Sequence, residues 1–542
     1  MCLAVLSGCL GGGDDDKPTP SSTSSAPTTL PLADLHAAEE QEIRDGGTLR
    51  IGVSSFPATF NPVHTDGVAS TAPQILAPTL GSAVRYTQDG GWTLDRDYAT
   101  KVEVTDREPF TVRVELNRRA VWQGGSAITS ADMVSYVAAM QSDDYAAAAP
   151  PVFDDVESVE PDGKFAYDVV FDGPTADWPA AVYPVLPRAY TKSPKTFNRA
   201  MTSKAPSSNG PFLVSSIERR TGTITLERNP RWWGRAPKLE SIVWRIGEPD
   251  VLAAAHTAGE LEAAPVTPDN RESLADADLR ASLGSEWSQV TLNGGNGPLA
   301  DTEVRRAVTA AIDLPGIVSA TSKRYGVPTV AMESVAVLPG QIGSRPAARK
   351  RDLAAAQKLL AKAGWKRSGD GPVQRKGKPL TLTLPVPDTM SGAIERAELI
   401  AADLAEVGIT VKVTQVPGDT FFERVVIPLD FDLTTFAWDV QPFDLAGSKA
   451  LFTPVDSPEN FTGKASGAIT KAFDAAIAET NDTKRVAKIA GVDAVARAQA
   501  SIMPLAVIPS VVAVDPAVVN YGPAALADLD WTVVGFMTDE EG

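Results

Sequence analysis

Between Leu380 and Val413 the sequence sets out a strand, a helix and a second strand with very little connecting chain. Leu380–Val386 is a short apolar and β-branched run of strand length. Ile394–Val407 has helical character and is closed by Gly408, where a left-handed cap belongs. Ile409, Val411 and Val413 then alternate with polar neighbours at a period of two. Strands joined by a crossover of this length run parallel with a right-handed connection. The region therefore reads as an open α/β sheet, and such sheets take ligands at the carboxyl ends of their strands. A ligand cleft is the expectation. A helix over Asp352–Ala363, capped by Gly364 and followed by Trp365, belongs to the same unit.

A second signature lies at Asn209–Gly234. Gly210-Pro211 opens a strand, since proline cannot donate to a ladder. Phe212 and Val214 alternate with polar residues, Thr221-Gly222 supplies a turn, and Thr223–Glu227 is a β-branched return strand. Asn229-Pro230 ends it, because the residue before proline is pushed out of helical space. Trp232 and Trp233 follow and are assigned to core rather than to a ligand. Elsewhere, Phe110–Leu116 alternates cleanly, and Thr129 with Asp132 forms a helix start. Trp287–Leu292 is a strand stopped by Asn293–Pro298, and Val304, Ala307, Val308, Ala311 and Ile312 mark one helix face.

Several function classes are excluded by composition. The chain of 542 residues has a formal net charge of −18, the reverse of the clustered basic footprint that nucleic acid demands. Only three histidines occur, His36, His64 and His256, far apart, and no catalytic or phosphate-binding motif accompanies them. No catalytic residue, cofactor or metal site is assigned. Both cysteines, Cys2 and Cys9, lie in the first ten residues, so the rest of the chain forms no disulfide. The most apolar stretch, Ser501–Val519, is interrupted by Pro504, Pro509 and Pro516 and reads as extended chain rather than a membrane span.

The hairpin with its Asn-Pro-x-Trp-Trp-Gly exit resembles that of the family 5 (peptide/nickel/opine) extracytoplasmic solute-binding proteins. Similar too are Phe60-Asn61-Pro62 near the start, Val121-Trp122-Gln123-Gly124 before the Thr129 helix, and the run Asn293–Asp313. Gly124 and Ser130 depart mildly from the family pattern. Pro109–Val114, Ala120–Trp122 and Leu299–Ala307 are similar to the LpqW-type actinobacterial lipoproteins within it. The resemblance implies a two-lobed periplasmic-binding-protein fold of class II type with a small extra domain. Residues 46–80, 205–286 and 505–542 would form the first lobe, 81–204 the small domain and 287–504 the second lobe. It implies a ligand site built from Phe60, Asn293, Gly295, Asn296, Phe436, Trp438, Asp439 and Gln441. The family's carboxylate for a peptide α-ammonium falls on Gln441, a neutral amide, and Asp439 is expected to turn to the opposite face. The implied partners are a peptide or glycolipid-like ligand and an ABC permease. For the LpqW-type subgroup the partner is instead a membrane glycosyltransferase of phosphatidylinositol mannoside synthesis. A monomer is expected.

Leu6-Ser7-Gly8-Cys9 resembles a bacterial lipobox, which implies diacylation of Cys9 and loss of residues 1–8. Met1–Leu6 carries no basic segment, so the true start is expected upstream. Residues 10–45, rich in Gly, Asp, Ser, Thr and Pro, are expected to be a tether reaching on the order of 30 Å from the bilayer.

Overall fold

Two strands far longer than the rest, Leu279–Leu292 and Ile502–Val514, lie antiparallel in the computed structural model, which describes residues 29–345, 349–367, 369 and 371–538. Their pairing is regular from Leu279↔Ala513 to Leu283↔Pro509, breaks up between Leu283 and Gln289, and resumes from Gln289↔Pro504 to Thr291↔Ile502. Two causes are visible. Pro504 and Pro509 bring no N–H to the ladder. Gly284 faces the Ile508 carbonyl so closely that a Cβ would lie 2.4 Å from its oxygen. On one side of the break the strands belong to a first lobe, on the other to a second.

In the first lobe the sheet continues from Ile502–Val514 through Ala263–Pro265, Thr48–Val53, Ser241–Ile246, Thr223–Arg228 and Phe212–Glu218. The last two form the hairpin read from the sequence. They pair antiparallel, with an irregularity at Thr225/Leu226 and Gly222 at φ 69° in the turn. Trp233 is buried beneath them as expected, whereas Trp232 is only half-buried.

A four-stranded antiparallel sheet, in the order 99–107, 110–116, 166–171, 156–161, forms the small domain. Phe110–Leu116 buries every second residue, which seats the sheet on the helix Ser130–Met140. That helix begins with a capping box made by Thr129 and Asp132. Phe110, Val112, Tyr167 and Phe171 share one apolar core with Leu49, Ile51 and Trp244 of the first lobe, so the two units pack as one body.

The second lobe has its own core. Thr381–Pro387 and Thr410–Val416 pair in parallel in full register, with the helix Ser391–Glu406 between them in sequence. Ala393, Ala397, Ile400 and Leu404 bury the inner face of that helix. The short strands Leu433–Thr434 and Ala437–Asp439 pair with the far half of Leu279–Leu292.

The tether expected over residues 10–45 ends earlier than the composition suggests. Leu30 is buried, the Leu283 N–H donates to the Pro31 carbonyl, and Ile43–Arg44 pairs with Gly535–Met537. Arg280, also buried, donates to the carbonyls of Leu35, Val518 and Tyr521 and to His36 Nδ1. Residues 30–45 are thus part of the first lobe, held by partners more than two hundred residues away. Cys9 lies outside the described residues.

Candidate ligand-binding site

At the carboxyl end of Thr381–Pro387, beside the break in the crossing strands, is a cavity of about 430 Å³. Pro268 and Asp269 reach it from the first lobe, and Glu286, Ser288 and Ile508 from the crossing strands. The second lobe supplies Thr389–Gly392, Arg396, Tyr325, Phe421, Phe422 and Phe436. Its size and mixed walls are those of a small-molecule site. The place is the one expected from the parallel pair.

Arg396 carries the main charge of the site. It sits on the inner side of the 391–406 helix, three residues after Ala393 and four before Ile400, and its Nε donates to Thr435 Oγ1 at 2.6 Å. No carboxylate of the described residues stands within ion-pair distance of it. Burial pulls its pKa down to about 10, so the guanidinium is still charged at neutral pH. The neighbouring Arg324 is already engaged, with Glu395 at 3.9 Å and with Ser391.

Opposite charge comes from the sheet. Glu286 lies directly across from Asp439 in the strand pairing, and Ser288 across from Ala437. Glu286, Ser288 and Ala437 all line the cavity. Burial raises the Glu286 carboxyl above its ordinary range, and the Asp439 charge raises it further. Asp439 is also raised by burial, opposed by hydrogen bonds from Ser285 and Gln441. The Gln441 amide donates to Asp439 Oδ2. The expectation that Asp439 turns away is therefore corrected: residues two apart in an extended chain share a face. Asp439 itself does not line the cavity, but a pocket walled by an unpaired guanidinium and the Glu286 carboxylate suits a ligand carrying both charges.

The other predicted residues are placed as follows. Phe436 is in the cavity wall, 5.2 Å from the ring of exposed Phe422. Trp438 stacks on Phe461 at 5.8 Å and 6° and pairs across the strands with Trp287; it is packing, not cavity wall. Phe60 is fully enclosed in the first-lobe core, which leaves no face for a ligand. Asn293 is a buried brace, its amide donating to the Leu429 and Phe431 carbonyls while its oxygen accepts from the Gly295 N–H. Gly295 and Asn296 lie on an exposed loop away from the cavity. The histidines serve structure: His64 caps a short helix, and His256 meets the Leu261 carbonyl at 3.0 Å.

Sequence reasoning missed Arg396, Glu286, Tyr325 and Phe422. Arg396 did leave a signal, a charge inside the apolar stripe of an amphipathic helix.

Residues 94–455 match the bacterial extracellular solute-binding proteins, family 5 (middle). This chain belongs to that family. As a solute-binding protein it is not an enzyme, and its family works outside the cytoplasm. It is 30% identical to the oligopeptide-binding protein OppA of Mycobacterium tuberculosis, over 98% of this chain and 92% of that one. The probable monoacyl phosphatidylinositol tetramannoside-binding protein LpqW of the same organism is 25% identical, over 58% of this chain and 49% of that one. Among solved structures, the periplasmic EDTA-binding protein EppA superposes with a TM-score of 0.82 at 23% identity, covering 95% of this chain and 100% of that one. The two-lobed fold of this solute-binding protein is thereby shown. No helix among the described residues is long and apolar enough to cross a membrane.

Away from the break, the small domain and the second lobe of this solute-binding protein already touch. The Ala446 N–H donates to Asp177 Oδ2 at 2.9 Å, Tyr86 and Phe443 pack at 5.5 Å, and the Ile342 N–H donates to the Asp89 carbonyl. Burial pushes Asp177 up to about 6. Burial and the Asp177 charge push Asp444 up to about 7. Both values lie above that of a solvated carboxylate, so the contact is favoured with the groups protonated and loses stability as pH rises through 6 to 7. The bias amounts to about tenfold per pH unit for each proton taken up. Small-angle scattering at pH 5 and pH 8 is expected to give the larger radius of gyration at pH 8, and D444N to flatten the difference. An unchanged radius in the unmodified protein would remove this seam as the pH-sensitive contact.

Proposed function

We propose that this protein captures short peptides in the cavity at the lobe junction and delivers them to an ABC permease. The observation that supports this most is that unpartnered Arg396 and the Glu286 carboxylate line one cavity, with Asp439 directly across the strand pairing from Glu286. A peptide offers the matching carboxylate and ammonium, and a bidentate guanidinium contact is the stronger kind of hydrogen bond. Gln441 serves by holding Asp439. The likeness to the oligopeptide-binding protein OppA over nearly the whole chain points the same way. In this reading the protein works as a monomer on the outer face of the cell membrane, anchored through diacylated Cys9.

A second reading has one observation in its favour. Phe421, Phe422 and Phe436 line the same cavity as Arg396, a combination that also suits an acyl chain beside a phosphate. The ligand would then be a glycolipid, and the protein would act with a membrane glycosyltransferase in phosphatidylinositol mannoside and lipomannan synthesis.

Gentle purification of residues 29–542, native mass spectrometry and solvent extraction separate the two. A retained peptide mass is the expected outcome. A mannolipid or phospholipid mass would replace the peptide reading with the second. Substituting the cavity carboxylate, E286Q, is expected to weaken peptides with free amino termini about tenfold more than N-acetylated ones. Equal weakening would take the ammonium contact away from Glu286.

A further inference from the structure

A second cavity, of about 540 Å³, shares no wall residue with the one at the lobe junction. It lies between the small domain and the first lobe, and its aromatic walls are Tyr98, Tyr183, Trp232 and Trp531. The Tyr98 ring packs on Tyr183 at 5.8 Å and on Trp232 at 5.8 Å, giving a continuous aromatic surface. Trp232 owes its half-burial to this cavity.

The charges around it do not balance. Four carboxylates, Asp95, Asp97, Asp528 and Asp530, face two guanidiniums, Arg85 and Arg235. Arg85 is taken by Asp95 at 2.7 Å and Asp530 at 3.3 Å, and Arg235 by Asp530 at 2.6 Å and Glu40 at 3.1 Å. Asp97 and Asp528 are left without a cation within ion-pair distance among the described residues. Among the described residues Asp528 accepts only the Tyr86 N–H, and the Asp97 carboxylate accepts no hydrogen bond. Burial, with the Asp95 charge behind it, raises Asp97, and burial raises Asp528 to about 6.

Two further features mark a place kept open. The hydroxyl of Tyr183, a residue 4% exposed, is buried with no hydrogen-bond partner, a costly arrangement for a wall that only packs. A Cβ on Gly234 would stand 2.5 Å from Asp97 Oδ2, so the glycine after the tryptophan pair is what admits that carboxylate.

We propose that this cavity is a second binding site, for an organic cation with an aromatic or aliphatic body. Asp97 and Asp528 supply the missing counter-charge, and the aromatic faces attract a cation through their quadrupoles. The site stands apart from the peptide reading of the other cavity.

Calorimetric titration of the full chain at pH 8 with phenethylammonium, 2-phenylethanol and phenylacetate tests it. The cation is expected to bind at least tenfold more tightly than the neutral and anionic probes, and D97N to remove that preference. D97N leaves no hydrogen bond unmade, so its melting temperature should match that of the unmodified protein. E286Q, which removes a carboxylate of the other cavity only, should leave phenethylammonium binding unchanged. Equal binding of the three probes, or a preference that survives D97N, would overturn the proposal. Loss of cation binding in E286Q would instead assign the probe to the junction cavity and overturn it equally.

Discussion

Arg396→Gln is expected to weaken peptide binding by about 2–4 kcal/mol, roughly 30- to 1000-fold, without destabilising the free protein. In the free state the guanidinium is buried with a single hydrogen bond to Thr435 and no carboxylate beside it. Such a group costs desolvation energy that only a ligand's anion returns. Removing the charge therefore takes from the fold only the one hydrogen bond to Thr435, offset by the relieved desolvation, and leaves a bound carboxylate unpaired. Titration calorimetry reads the affinity and scanning calorimetry the stability. An affinity within threefold of the original would sink the assignment. A large fall in melting temperature would show that Arg396 holds the lobe together instead.

Trp287→Ala is expected to cost about 3–5 kcal/mol of unfolding free energy, the range for deleting a buried large aromatic. The ring is 2% exposed and shares a core with Leu283, Phe452 and Val507. It lies at the break in the crossing strands, opposite Val507 on one side and Trp438 on the other. Its loss should therefore loosen both lobes at the point where they join. Urea unfolding followed by tryptophan fluorescence should show an earlier midpoint and a separate, earlier transition of one lobe. A cost below about 1 kcal/mol would mean that the cavity collapses and that the break is not held by this ring.

What the sequence disclosed and what it hid follow one physical rule. The parallel pair around 381–416, the hairpin around Gly222 and the helix capped by Thr129 and Asp132 are local, and each was readable from spacing and turn chemistry. Segment 30–45 was not, because Leu30 and Ile43 are ordered by distant strands rather than by neighbours. The site divides in the same way. The 436–441 stretch could be placed on a strand and its exit. The cavity itself is assembled from seven separate segments, and only folding brings Glu286, Arg396 and Phe422 together. Phe60 misled because Asn-Pro after an aromatic reads as an exposed turn. In fact the Phe60 N–H is tied to the Met201 carbonyl and the Asn61 amide to that of Phe197, and the ring goes inward.

The crossing strands also fix the order in which this molecule can be completed. Ile502–Val514 is the sole ladder between Leu279–Leu292 and Ala263–Pro265, so it is the keystone of the sheet that begins at Thr48. The chain between Leu292 and Ile502 buries part of its apolar surface against Val290, Leu292, Met503 and Leu505 of the crossing strands and part against first-lobe residues such as Leu30 and Ala253. A growing chain thus leaves the second-lobe core incomplete, and the first lobe with two bare strand edges, until Ile502–Val514 is made. Bare edges invite mispairing, and the long-range closure that covers them is slow. The same strands that let two lobes work as one therefore make their own late pairing the vulnerable step of biogenesis.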